Sequence, residues 1–413
     1  MSSEPVSAAQ RLVTLDFIRG IAVLGILVAN IVGMSHPTLA YQWPPGMGHA
    51  PTAGDAAVWL GQYVLIDGKM RGLFTLLFGA GMYLFLERGW ARGQGIWLQV
   101  RRLVWLGLFG VAHHLLLFAG DILFLYAIAG LVALTMAGWT REKQLSIGLT
   151  WYLAGSIFYL AAGSPAAMLE QNVAAPLRPP GAYERLMESW DTTLERNEQE
   201  RAAFTGGSYA SEFDYTIARS ARSFSSDPIT ALVETIPLML IGMALYRYGL
   251  FSGRLDPGAQ RRWGWIGVLA GAALALAMGW PVVARAFPPF LTEFMFISAP
   301  LGPRLPAILG LAALLALWAP RAAKTWLGQR LAAAGRMAFS NYIGTSLVVM
   351  LAMRQWAGGW WGELDRLQLL AVVLPVWALI LAWSQPWLAR FRYGPLEWLW
   401  RCLTYWRVFP IRR

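Results

Sequence analysis

Apolar residues in this chain run in long continuous blocks, each bounded by arginine or lysine or by a stretch rich in proline and glycine. A block of about 20 apolar residues, coiled as helix, matches the hydrocarbon thickness of a bilayer. Strands of a membrane barrel would be shorter and would alternate polar with apolar. The blocks predict helices over 15–34, 70–87, 103–119, 122–138, 144–163, 229–249, 263–283, 304–320, 337–354 and 367–389. The expected fold class is therefore an all-α polytopic membrane bundle of about ten transmembrane helices.

Residues 56–87 interrupt the pattern. An apolar stretch is followed by Asp67, Gly68, Lys69, Met70 and Arg71, and then by a second apolar stretch. The loop before it, 35–55, has no Lys or Arg, whereas Arg88, Arg92, Arg101 and Arg102 follow it. Positive charge marks the cytoplasmic side, so an odd number of crossings is required, and one span over 70–87 is expected. Residues 56–67 are then an interfacial helix or the first half of a broken one; two spans with a re-entrant dip are the alternative.

The other basic clusters (Arg141 and Lys143; Arg247, Arg254, Arg261 and Arg262; Arg321, Lys324, Arg330 and Arg336) recur at every second loop. Both termini are then cytoplasmic, with a polar, loose start over 1–14 and a basic, aromatic tail from Arg390 lying on the inner leaflet. The first apolar block opens with Asp16 and Arg19 and lacks a cleavage site, so it reads as a retained span. The polar segment 164–228 is expected outside, with at least one amphipathic helix carrying Tyr183, Leu186, Met187, Trp190 and Leu194. It separates a five-span half, 1–163, from a second five-span half, 229–413.

Composition changes this picture little. The chain has 413 residues, 57% hydrophobic and 14% charged, with a net charge of +11. The basic residues sit beside the spans, so topology accounts for them and nucleic acid is not an expected partner. Cys402 is the single cysteine, which rules out an intramolecular disulfide, and no ligand spacing suggests a metal. No internal repeat is visible, so an inverted-repeat transporter is not indicated.

The stretch 101–130 carries the candidate chemistry. His113 falls ten residues into a span, at mid-depth, where imidazole is costly to keep. It can serve as a general base or simply hydrogen-bond a neighbouring helix. On one continuous helix Asp121 would lie about 12 Å from it, so the two form a dyad only if the helix breaks before Gly120. Asp121 can instead cap the next helix, or meet Lys69 or Arg71 at the outer boundary. At the other mouth, Asp16, Arg19, Arg101 and Arg102 suit the phosphates of a cytoplasmic donor; a double arginine before a span is also an ordinary topology signal. Arg336, Ser340, Asn341 and Tyr342 form a polar stripe that lines a cavity or joins helices. Glu397 can pair with Arg401 one turn on.

Five stretches carry a family resemblance: TLDFIRG at 14–20, GKMRGLFTLLFGAG at 68–81, GDILFLYA at 120–127, GRMAFSNYIGTS at 335–346 and GPLEWLWR at 394–401. In this order, over nearly the whole chain, they resemble the YeiB-like bacterial membrane proteins, which carry a C-terminal domain of unknown function. LDFIRG also resembles the first span of the heparan-alpha-glucosaminide N-acetyltransferase-like proteins and of acyltransferases that modify surface sugars. The resemblance implies an acyl-CoA-dependent transmembrane acyltransferase fold in the bacterial inner membrane. In the sugar acyltransferases a histidine follows the span-one arginine by eleven positions. Counted from Arg19 that position is Asn30, which cannot act as a base at neutral pH.

The resulting expectation is transfer of an acyl group, acetyl first, from cytoplasmic acyl-CoA to an acceptor at the outer face. His113 and Asp121 would be catalytic. Lys69, Arg71, Asn30 and Asn341 would face the acceptor, and Asp16, Arg19, Arg101, Arg102 and Arg336 the acyl-CoA. The partners expected are the lipid bilayer and a small-molecule, sugar or lipid-borne acceptor, with a homodimer left open. A small-metabolite transporter and a non-catalytic binding or scaffold protein are the alternatives.

Overall fold

The computed structural model describes residues 13–172 and 180–413. Most of the expected loose start falls on residues 1–12, outside the described residues, as do residues 173–179 of the polar segment. In chain order the helices are α1 (Val13–Ser35), α2 (Thr38–Gln42), α3 (Ala53–Leu65), α4 (Lys69–Trp90), α5 (Trp97–Leu116), α6 (Leu123–Thr135), α7 (Arg141–Glu170), α8 (Ala182–Thr205), α9 (Tyr209–Thr230), α10 (Ile236–Tyr248), α11 (Pro257–Ala284), α12 (Pro289–Glu293), α13 (Leu301–Ala322), α14 (Trp326–Arg336), α15 (Ala338–Met353), α16 (Arg366–Arg390) and α17 (Pro395–Tyr405). Among the described residues the extended pairing is one isolated bridge, Phe391 with Arg412. The protein is a helical bundle, as its unbroken apolar blocks require.

Among the described residues seven helical segments are long and apolar enough to cross a membrane: α1, Ala53–Trp90, α7, Ala231–Tyr248, α11, α13 and α16. Shorter apolar helices include α6 and α15. Around the centre the bundle is layered. α1 and the 231–248 segment have 67% and 72% of their apolar windows buried, whereas α7, α11 and α16 have 22%, 22% and 28%. The outer helices therefore present Leu153, Ile157, Phe158, Leu269, Leu274, Trp280, Leu374 and Leu379 outward. Apolar faces of that extent suit hydrocarbon and not water.

Central helices touch at backbone level. A Cβ on Gly79 of α4 would strike the backbone of Met239, and one on Gly242 of α10 would strike that of Leu76. Without a hydrophobic effect between helices in lipid, such small-residue contacts supply packing.

The interrupted stretch is one broken helix. α3 ends at Leu65, the chain turns through Ile66–Gly68, and Gly68 takes φ +71° before α4 begins. Along α1 the contacts progress in one direction: Gln62 Nε2 donates to the Val28 carbonyl (2.6 Å), Met70 packs on Gly25, and Arg19 lies against Gly81. α3 and α4 are thus successive halves of one path. The geometry follows the broken-helix alternative for residues 56–67. A capping box between Thr52 and Asp55 starts α3. Arg366 of α16 holds it, giving its amide to Asp55 (3.0 Å) and its guanidinium to Gln62 (3.2 Å) and the Tyr41 carbonyl (3.1 Å).

One end of the bundle gathers the basic residues of α1, α5, α14 and α17; α8 and α9 cover the other. α8 is anchored there by Thr38 Oγ1 to Glu200 (2.8 Å) and Asn197 Nδ2 to the Gly46 carbonyl (3.2 Å). α9 is anchored by Arg354 against Glu212 (3.3 Å). We call these the basic end and the capped end.

The backbone contact between α4 and α10 yields a stability prediction. Gly242→Leu should cost about 1–3 kcal/mol through overpacking, read as a lower melting temperature of detergent-purified protein. An unchanged melt would show that α4 and α10 do not depend on this approach.

Candidate functional site

The α5–α6 hairpin departs from a continuous helix at the point where the chemistry sits. α5 stops at Leu116, and the amides of Leu117 and Phe118 both donate to the His113 carbonyl (2.9 Å each). The chain then doubles back, so Asp121 Oδ1 lies 2.7 Å from His113 Nδ1. The separation expected for one helix does not apply, because that helix ends one turn after His113. Gly110 makes the return possible: a Cβ there would strike the Phe124 amide and the Asp121 carboxylate. The second Asp121 oxygen accepts the Phe124 amide (2.8 Å), which also caps the start of α6. On its other side His113 Nε2 lies 2.8 Å from Ser346 Oγ of α15. With Nδ1–H donating to the carboxylate, Nε2 is the acceptor and the Ser346 hydroxyl the donor. Asp121 makes no ion pair with Lys69 or Arg71: Lys69 Nζ donates to the Tyr63 carbonyl (2.6 Å), and Arg71 pairs with Glu234 of the π-helical turn Ala231–Thr235 (2.6 Å).

Two cavities approach this hairpin. The one at the capped end measures about 490 Å³, and Asn30, Gly68, Arg71, Asp121, Glu200, Glu234, Arg304 and Arg354 contribute to its wall. At the basic end two confluent hollows of about 190 and 150 Å³ share Asp16, Arg19, Arg102, Glu397 and Trp400. Arg88 and Arg401 line the first of these and Arg336 the second. Five arginines there face two carboxylates, a surplus of three positive charges. Ile122 borders both the inner hollow and the capped-end cavity. Its amide donates to Tyr342 Oη (3.3 Å), and the Tyr342 ring lies 5.0 Å from that of His113. The histidine pair therefore sits beside the wall between the two spaces.

Lys69, Arg101 and Asn341 line neither of these spaces, Lys69 giving its Nζ to the Tyr63 carbonyl. Arg101 turns away from the hollows, donating to the Thr404 carbonyl (3.2 Å) while its neighbour Arg102 stacks on Trp400 (4.4 Å). Asn341 is consumed between helices: its Nδ2 donates to the Ala334 carbonyl (3.0 Å) and Ser384 Oγ (3.1 Å), and its Oδ1 accepts from Trp383 (2.9 Å). The polar stripe is also interrupted. α14 ends at Arg336 and α15 begins at Ala338, with Glu397 accepting the Phe339 and Ser340 amides (2.8 and 3.0 Å). Glu397 therefore caps α15.

The chain is 32% identical over 407 residues to "Uncharacterized protein YeiB" of Escherichia coli (strain K12), covering 96% of each. The chain belongs to the YeiB-like family. It is also 28% identical to an "Uncharacterized 39.9 kDa protein in amylase 3'region" of Bacillus acidopullulyticus, over 99% of this chain and 98% of that one. With "Uncharacterized protein YxaH" of Bacillus subtilis (strain 168) the identity is 27%, over 100% and 98%. Residues 245–407 match a family model described as "Protein of unknown function (DUF418)". No solved structure matches the chain significantly.

His36, which sequence reasoning passed over, also lines the capped-end cavity. Its Nε2 donates to the Leu364 carbonyl (2.8 Å), leaving Nδ1 as a lone-pair acceptor with no partner among the described residues. Burial lowers its pKa from 6.5 to about 4, so it is neutral at pH 7. On α8, burial raises the Glu200 carboxyl above the usual carboxylate range. The signal available for His36 was its position, directly after the first span and before Pro37.

Two predictions arise here. Asp121→Ala leaves the His113 Nδ1–H and the Phe124 amide without their acceptor, about 1–3 kcal/mol for each, whereas Ser346→Ala leaves one group, His113 Nε2, without its donor, about 1–3 kcal/mol in all. Denaturation of the two variants should rank them in that order, and equal losses would count against the pairing. Between pH 6.5 and about 4 the unfolded chain binds a proton at His36 that the folded chain does not, so this residue makes stability fall as pH falls through that window. Melting curves of His36→Gln should show a shallower acid loss than wild type; parallel curves would refute it.

Proposed function

We propose that this protein is a transmembrane acyltransferase that moves an acyl group, acetyl in the simplest case, from cytoplasmic acyl-CoA to an acceptor at the opposite face. One observation carries the reading: an arginine-lined hollow and a mixed-charge cavity share the wall residue Ile122 beside the His113–Asp121 pair. Arginine forks suit the phosphates of CoA, placing the thioester toward the wall. The basic end is then cytoplasmic, in the bacterial inner membrane, and α5, α6 and α15 join the seven long segments to make about ten crossings with both termini inside.

In the reaction an acceptor hydroxyl or amine attacks the thioester carbonyl, the carbon–sulfur bond breaks, and CoA leaves as a thiolate. The acceptor's proton goes to the histidine system and from there to the CoA sulfur, which departs as the thiol. Both His113 nitrogens are engaged, so the proton passes through the Ser346 hydroxyl, or Ser346 turns fully to the Tyr342 carbonyl that it already contacts (3.4 Å) and frees Nε2. Asp121 holds the ring and stabilises the imidazolium. Asn30 lines the acceptor cavity and takes no proton.

The shared wall equally suits a small-metabolite transporter in an occluded state. Calorimetry with acetyl-CoA on detergent-purified wild type, His113→Ala and Arg102→Gln separates the readings. We expect saturable binding by wild type and His113→Ala. Arg102→Gln should bind at least about tenfold more weakly, as loss of a charge-assisted contact implies. CoA release in native membranes should be abolished in His113→Ala. No binding to folded protein, together with uptake of an unmodified solute into proteoliposomes, would replace the transferase by the transporter.

A further inference from the structure

We infer that the capped-end cavity holds an oxyanion, a carboxylate or phosphate of its ligand, between Arg304, Arg71 and the N-terminal turn of α4 at Gly68. Arg304 is buried (6% exposed) and lines that cavity. Its Nη2 donates to the Phe296 carbonyl (2.9 Å), and its Nε has no hydrogen-bond partner. Among the described residues no carboxylate reaches it at ion-pair distance. Of the other buried arginines nearby, Arg354 faces Glu212 at 3.3 Å while its Nε and Nη1 also lack hydrogen-bond partners among the described residues, and Arg366 donates through its Nη atoms to Gln62 and to backbone carbonyls. A buried guanidinium without an acid is costly, and an incoming anion removes that cost.

The surroundings are built for the same charge. Gly68 and Arg71 both line the cavity, and their amides make no backbone hydrogen bond among the described residues. They open a helix of 22 residues, whose dipole favours negative charge at this end. A Cβ on Gly68 would strike the Arg304 guanidinium, so the glycine lets the arginine lie against the start of α4. Arg71 and Arg304 meet the carboxylates of Asp67 and Glu234 in this corner, and Lys69 beside them gives its Nζ to the Tyr63 carbonyl (2.6 Å). Asp67 accepts from the Tyr41 hydroxyl (3.0 Å) and Glu234 from Arg71 (2.6 Å), and neither makes an ion pair with Arg304.

Elsewhere the wall carries Asp121 and Glu200, which repel an anion and accept from a hydroxyl or amine. The ligand class is thus an anionic alcohol or amine, its oxyanion at Arg304 and its nucleophile toward Asp121. As the identity of an acyl acceptor this rests on the transferase reading; as an anion site it does not.

The test is calorimetry and thermal shift on the full chain in detergent at fixed ionic strength. Three anionic probes are paired with neutral analogues: D-glucuronate with D-glucose, glycerol 3-phosphate with glycerol, and lysophosphatidic acid with monoacylglycerol. We expect at least one anion to bind saturably and about tenfold or more tighter than its neutral partner; which one names the source as carboxylate, free phosphate or lipid. Arg304→Gln should lose that preference, and Arg285→Gln, an exposed arginine, should keep it. The charge-neutral double variant Arg71→Gln with Glu234→Gln should weaken the anion severalfold, and it decides the matter if Arg304→Gln does not fold. No preference for any anion, or an unchanged preference in whichever of these site variants folds, would overturn the inference. Acetyl-CoA is titrated on the same samples. Its binding without anion binding sinks the anion site alone, and the converse sinks the transferase reading alone.

Discussion

A charge taken out of water into a bundle of apolar helices must be met by another polar group, and the architecture is arranged around where those meetings occur. Arg366 joins α16 to the broken helix and to the carbonyl of Tyr41. Arg71 ties α4 to the π-helical turn before α10. Glu397 reaches from α17 to the first amides of α15. Each contact replaces lost hydration and fixes the relative position of segments far apart in sequence.

Much of the bundle was legible because a transmembrane helix announces itself by uninterrupted apolarity. The break between α3 and α4 was legible too, since Asp67, Gly68 and Lys69 interrupt an apolar run with a residue suited to positive φ. The end of α5 was not. Leu115 to Ala119 continue the apolar pattern, and the first glycine comes only at 120, so the sequence favoured a longer helix and a greater separation of His113 from Asp121. What shortens the helix is tertiary: Gly110 leaves room for the returning chain, and Asp121 finds both an imidazole and an amide to bind.

The candidate site shows the same division. The basic character of one mouth was readable from Arg19, Arg102 and Arg336, but not which of two adjacent arginines would face inward. Successive residues on a helix point about 100° apart, and the choice between Arg101 and Arg102 depends on α17, some 300 residues later. Asn341 looked like a cavity residue because its neighbours do line one. The interruption at Met337 and the indole of Trp383 turn it into a link between helices. Ser346 and Arg304 carried no local signal, since a serine in an apolar helix and an arginine at a span boundary are both common.

The wall at Ile122 has an electrical consequence. A membrane voltage ordinarily falls over about 30 Å of hydrocarbon. Where water-filled hollows enter from both sides, the fall is compressed into whatever separates them. A unit charge crossing that separation would experience most of the potential there, about 2.3 kcal/mol for each 100 mV in full. A proton moving between the two hollows past Tyr342 and His113 would do so at the steepest part of that field, so the energised state of the membrane would bias the direction in which the histidine pair loads and unloads.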